Sequence, residues 1–111
     1  MKSTLAAALL AAALLAGASI AAAAPAAENW DNHCAKCHGP DGAGGTKMGR
    51  KLHVKDYTDA TVQAALKDED MAKAIKDGVT EDGHERMKGF KDDLSDADIT
   101  DLVAYIRKMK K

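Results

Sequence analysis

The only two cysteines of the chain stand three positions apart in His33-Cys34-Ala35-Lys36-Cys37-His38-Gly39, with a histidine directly after the second. Four chemistries use such a pair. A disulfide between neighbours this close would close a tiny loop and constrain the unfolded chain very little. A structural zinc site needs four ligands. His33, His38, His53 and His84 are the only histidines available, and none forms the second paired spacing that makes a zinc motif specific. A thioredoxin-like redox pair needs a βαβ setting, and no strand pattern is evident. The fourth chemistry, C-x-x-C-H, attaches a c-type haem. Positions i and i+3 share one helix face, so both thiols reach the vinyl groups along one side of a porphyrin and form thioethers. The next histidine then turns its imidazole toward the iron as proximal ligand. Cys34, Cys37 and His38 are read in these roles, with one covalently bound haem c as the cofactor.

The segment ahead of this motif carries one early charge, Lys2, then an apolar run from Leu5 and a series of small residues. This is the layout of a secretory signal peptide. Ala24-Pro25-Ala26 fits the small-x-small cleavage rule and keeps proline out of the first mature position. The competing reading is an uncleaved membrane anchor, because the run approaches the ~20 residues that span a bilayer. Its alanine richness argues for cleavage. Removal of residues 1–26 from 111 leaves 85 residues, one small domain at 27–111. Export places it in the periplasm or outside the cell, and a membrane enters only if the leader stays attached.

A core built from so few residues is modest, and Trp30, Tyr57, Phe90 and Tyr105 are the only aromatics. A bound group is expected to supply part of the interior. The formal charge is −1, and loss of Lys2 takes it to −2. No basic stripe suggests nucleic acid. "GAGGTK" lacks the G-K-[ST] order of a phosphate-binding loop.

The rest reads as all-α. A first helix over 26–37 carries Trp30, Cys34 and Cys37 at helical spacing and stops at Gly39-Pro40. Residues 39–57 hold five glycines and read as an extended loop. Thr58 or Asp59 caps a short helix through Leu66 with Val62, Ala65 and Leu66 on one side. Asp68 opens a helix with Met71, Ala74 and Ile75 along one face, and Gly78 ends it. A second loop follows. Ser95 and Asp98 then form a capping box ahead of the stripe Ile99, Leu102, Val103, Ile106.

Haem iron held by one histidine keeps a position on its other face, where methionine raises the potential and suits electron transfer. Met48 follows His38 by only ten positions (48 − 38) and would have to cross the ring edge at once. Met71 falls on a buried helix face, where methionine usually packs, and Met109 falls in a charged tail. Met87, 49 positions after His38 (87 − 38), lies in a glycine-containing loop that can approach the opposite haem face. Met87 is favoured, and His84 is its main rival. The histidines outside the motif otherwise read as exposed polar residues.

"WDNHCAKCHGPDGAGGTKMG" and "RMKGFKDDLSDADITDLVAYIRK" resemble the bacterial class I c-type cytochromes, small single-haem electron carriers. With the helix between them, the resemblance covers essentially the whole mature chain. It implies a small cytochrome c fold of about four helices wrapped around one covalently bound haem. It also implies an aromatic contact between Trp30 and Tyr105, and a sixth iron ligand at Met87, just ahead of the closing helix. Two positions depart from the family. Lys88 stands where many members have proline after the ligand methionine. The sole mature proline, Pro40, lies close to His38, so it does not match the loop proline whose carbonyl often holds the proximal histidine. The expectation is an exported, monomeric one-electron carrier that docks briefly with redox proteins and performs no bond-making chemistry. Lys36, Lys47, Lys51, Lys88 and Lys91 flank the haem-contacting segments and are candidates for that docking. A haem sensor or ligand-binding module with an open or displaceable sixth position is the alternative. Covalent attachment has a simple check: protein from an export-competent host should keep a haem peroxidase stain after denaturing electrophoresis, and Cys34→Ala with Cys37→Ala should abolish it.

Overall fold

A computed structural model describes residues 24–111, so most of the leader expected at 1–26 lies outside the described residues. The first helix begins behind Pro25, whose carbonyl accepts from the Glu28 and Asn29 N–H groups. The spacing predicts one helix to Cys37; the structure divides it into α1 (Ala26–His33) and α2 (Ala35–His38). Cys34 at the junction has φ −120°. Helical hydrogen bonds continue through it, from Cys34 N–H to Trp30 O at 2.9 Å and from His38 N–H to Cys34 O at 3.0 Å. The split is therefore a local distortion at the first cysteine rather than an end to the helix.

The stretch read as an extended loop contains a helix, α3 (Lys47–Leu52). Thr46 caps it by accepting from Gly49 N–H at 2.8 Å, and its hydroxyl donates to Cys37 O at 2.6 Å. That second bond fastens α3 to α2. Gly49 is required by the same approach, because a Cβ there would run into the Cys37 carbonyl. Glycine density in the sequence hides this helix; the N-cap threonine was its one positive signal.

Asp59 caps α4 (Ala60–Ala65) through the Thr61 and Val62 N–H groups. The inward residue differs from expectation: Gln63 is buried, Val62 and Leu66 are half-buried, and Ala65 is exposed. Helix α5 (Asp68–Asp77) buries Met71 and Ile75 and ends at Gly78. The second loop is a β-hairpin, β1 (Val79–Glu81) against β2 (His84–Met87), antiparallel, with an irregularity between Val79 and Thr80. Asp82 and Gly83 turn it, both at positive φ (52° and 78°), which is the backbone of a two-residue Asp-Gly hairpin turn. Strands of three and four residues are too short to show period-two alternation. The chain then returns along α5: Phe90 N–H donates to Ile75 O at 2.8 Å and Lys91 N–H to Lys76 O at 3.2 Å.

Helix α6 (Asp96–Arg107) starts as the sequence predicts. Asp98 N–H donates to Ser95 Oγ, and Ser95 N–H donates to the Asp98 carboxylate, both at 3.0 Å. Ile99, Leu102, Val103 and Ile106 are buried and join Trp30, Cys34, Met71, Ile75, Phe90 and Leu94 in one core. The fold class stands as all-α, with six helical segments and one small hairpin among the described residues where about four helices were expected.

Gly78 has φ +85°, and a Cβ on it would lie 2.6 Å from the Met87 carbonyl oxygen. Gly78→Ala should therefore destabilise the fold by about 2–4 kcal/mol, from left-handed strain plus backbone displacement. Ser95→Ala should cost about 1 kcal/mol. Urea unfolding, read as a lower midpoint at constant slope, checks both.

Candidate haem site

Helices α1 and α2 present the motif side by side. Cys34 is buried within the core and Cys37 is half-buried, and both thiols are free. Burial, and secondarily the neighbouring Cys37, pushes the Cys34 thiol up to about 12. His38 is set between two aromatic side chains. Its ring stacks on Tyr57 (centroids 5.3 Å, planes 20° apart) and leans on Trp30 (5.7 Å, 45°), which in turn meets Tyr105 at 5.8 Å. The Trp30–Tyr105 contact is the one implied by the resemblance. Trp30 Nε1 donates to Gly39 O at 2.9 Å, joining α1 to the end of α2.

Burial lowers the His38 pKa below its ordinary value. The imidazole is thus held neutral, the form that ligates a metal. One ring nitrogen, Nδ1, is buried without a hydrogen-bond partner. An orphaned buried polar atom costs about 1–3 kcal/mol, so it is an unusual feature for a purely structural histidine. Two unpaired thiols and a neutral, under-partnered imidazole on adjoining helical turns fit a covalently held haem. They do not fit a zinc site: among the described residues no three His, Cys, Asp or Glu side chains gather in a way that could hold a metal ion.

Met87 ends β2, opposite Val79, and is half-buried against the core cluster to which Cys34 belongs. Its rival His84 is exposed beside the hairpin turn, paired with Glu81. Met48 is 39 % exposed on α3, Met71 is buried in α5, and Met109 rests over Gly42. Of these, Met87 combines partial burial with a place in the connection ahead of α6. His33 departs from the exposed reading; it is half-buried and set edge-on to Phe90 at 5.4 Å. Lys88 does not leave the segment loose for want of a proline. The strand pairing before it and the Phe90 and Lys91 bonds to α5 after it hold the chain on both sides. Sequence reasoning did not place Tyr57 beside His38, although its rarity as an aromatic was a usable signal.

Fold and site together define a small c-type cytochrome. Residues 21–106 match the family described as cytochrome c oxidase, cbb3-type, subunit III, and the chain belongs to that family. Among solved structures it is similar to the KustC0563 c-type cytochrome, at 32% identity and TM-score 0.70, over 78% of this chain and 98% of that one. A Tyr-to-Phe mutant of Kustc0563 is similar at 31% identity and TM-score 0.68, over 78% and 99%. Among curated proteins nothing matches. The chain is accordingly a haem-based electron carrier with covalently bound haem c, and it exchanges electrons with redox partners.

The unequal burial of the two thiols has a chemical signature. In chain produced without haem attachment, iodoacetamide at pH 8 should modify Cys34 more than about tenfold more slowly than Cys37. In the haem-loaded protein neither should react. Peptide mass mapping over time distinguishes the two forms.

Proposed function

We propose that this chain is an exported one-electron carrier whose haem is fastened through Cys34 and Cys37 and ligated by His38 and Met87. Bound haem supplies a one-electron couple at its iron; the protein sets the potential and limits access. His38 is held neutral by burial and wedged by Trp30 and Tyr57, which supports a fixed proximal ligand. The observation that carries the assignment of the other ligand is the seat of Met87, half-buried at the base of a hairpin whose continuation is hydrogen-bonded to α5. A ligand on a segment tied at both ends reorganises little between oxidation states, which suits electron transfer better than exchange of a sixth ligand. The same tie weighs against a sensor with a displaceable sixth position.

Bond-making catalysis forms no part of this reading. Electron exchange occurs in brief encounters of a monomer with redox proteins, through the small interfaces usual for such pairs. Lys36, Lys47, Lys51 and Lys91 are exposed and, among the described residues, make no ion pair. They are the proposed docking charges. Lys88 contributes less, since it pairs with Asp93 at 3.6 Å and lies over the Phe90 ring at 5.2 Å. The leader is removed after Ala26, and the carrier works in the periplasm or outside the cell. No helix among the described residues is long and apolar enough to cross a membrane.

The oxidised protein should show the far-red charge-transfer band of methionine-to-iron ligation, and Met87→Ala should lose it while keeping the covalent haem. Absence of the band from the parent protein, or its survival in Met87→Ala, defeats the His/Met assignment. Spectra of the reduced protein with and without carbon monoxide test the sensor alternative, which requires ready binding.

A further inference from the structure

Gln63 is buried to 4 % exposure on a short helix whose inward face was expected at Val62, Ala65 and Leu66. A buried amide is tolerated when all its polar atoms are engaged, and here they are. Gln63 Nε2 donates to Tyr57 O at 2.7 Å and to Ile106 O at 2.8 Å. Its Oε1 accepts from Arg107 at 3.1 Å. The same guanidinium donates to Gln63 O and Leu66 O, both at 2.6 Å, and to the Asp68 carboxylate at 2.8 Å. The amide therefore has one orientation, since a flip would set its oxygen against two carbonyls.

One of those two carbonyls belongs to Tyr57, the residue whose ring stacks on His38. The other side of the Tyr57 main chain is also held, its N–H donating to Gly42 O at 2.9 Å. Tyr57 sits in the turn between α3 and α4. The two main-chain bonds fix the backbone from which its ring projects, and the ring itself is set against His38. With Trp30 on the His38 ring as well, rotation of the imidazole about its own axis is confined.

We propose that Gln63, braced by Arg107, is a positioning residue for the haem: it anchors Tyr57 so that the Tyr57 ring sets the plane of the His38 imidazole. The proposal rests on the reading of His38 as an iron ligand. Neither residue touches the iron; both act through His38. A fully satisfied polar network of this kind specifies one arrangement where an apolar side chain would permit several.

The test uses the full chain loaded with haem. In the oxidised protein, paramagnetic iron spreads the haem methyl proton resonances in a pattern that follows the plane of the axial imidazole. Gln63→Met, which keeps side-chain length but lacks both donors, and Tyr57→Leu, which lacks the ring, should shift that pattern in the same direction. Tyr57→Phe should leave it as in the parent. A parent-like pattern in both Gln63→Met and Tyr57→Leu, with only a lower melting temperature, would overturn the proposal while leaving His38 ligation intact. A His38→Ala protein that keeps a six-coordinate low-spin spectrum would overturn the ligand reading and the proposal together.

Discussion

Trp30 is the contact on which the rest of this small structure depends. Its side chain is 1 % exposed, its ring meets both His38 and Tyr105, and its indole N–H is spent on the Gly39 carbonyl. Three pieces of chain are thereby fixed to one another: the helix that carries the cysteines, the turn that follows them, and the closing helix, distant in sequence. An aromatic ring buries more apolar surface than any other side chain. In a chain with four aromatics, its placement decides where the core and the haem site coincide.

A second set of constraints acts on the far side of the core. Gly78 ends α5 in a conformation open to glycine, β1 and β2 fold back on each other, and Phe90 and Lys91 return to bond the last turn of α5. Met87 lies at the base of this device, paired with Val79 in the ladder and packed by its side chain against the core. Rigidity that other sequences draw from a proline is distributed here over a ladder, a glycine close approach and two helix-end carbonyls.

Much of this was legible in advance, and the limits follow from the range of the interactions. The haem motif, the capping box at Ser95 and Asp98, and the buried faces of α5 and α6 are written within a few consecutive residues, so local pattern reveals them. Helix α3 was hidden by the glycines around it, of which Gly49 is required by contact with α2 at Cys37, twelve residues back (49 − 37). The hairpin was hidden by its brevity, although Asp82-Gly83 was a sufficient signal. Gln63 faces inward where Ala65 was expected because its partners lie in α6 and at Tyr57, and a side chain that satisfies its polar atoms through the tertiary structure follows no apolar periodicity.

The sequence by itself pointed to the cofactor and to the residues proposed as its anchor, because thioether attachment needs two thiols and an imidazole at a fixed local spacing and owes nothing to distant residues. It also determined where the main helices begin and end, through caps, glycines and the i, i+3, i+4 stripe. Only the tertiary structure decided which aromatic rings flank His38, how Met87 is seated against the core, and which polar side chain holds Tyr57. Those choices arise when segments as much as 75 residues apart (Trp30 and Tyr105, 105 − 30) meet and must satisfy one another's burial and hydrogen bonds at once.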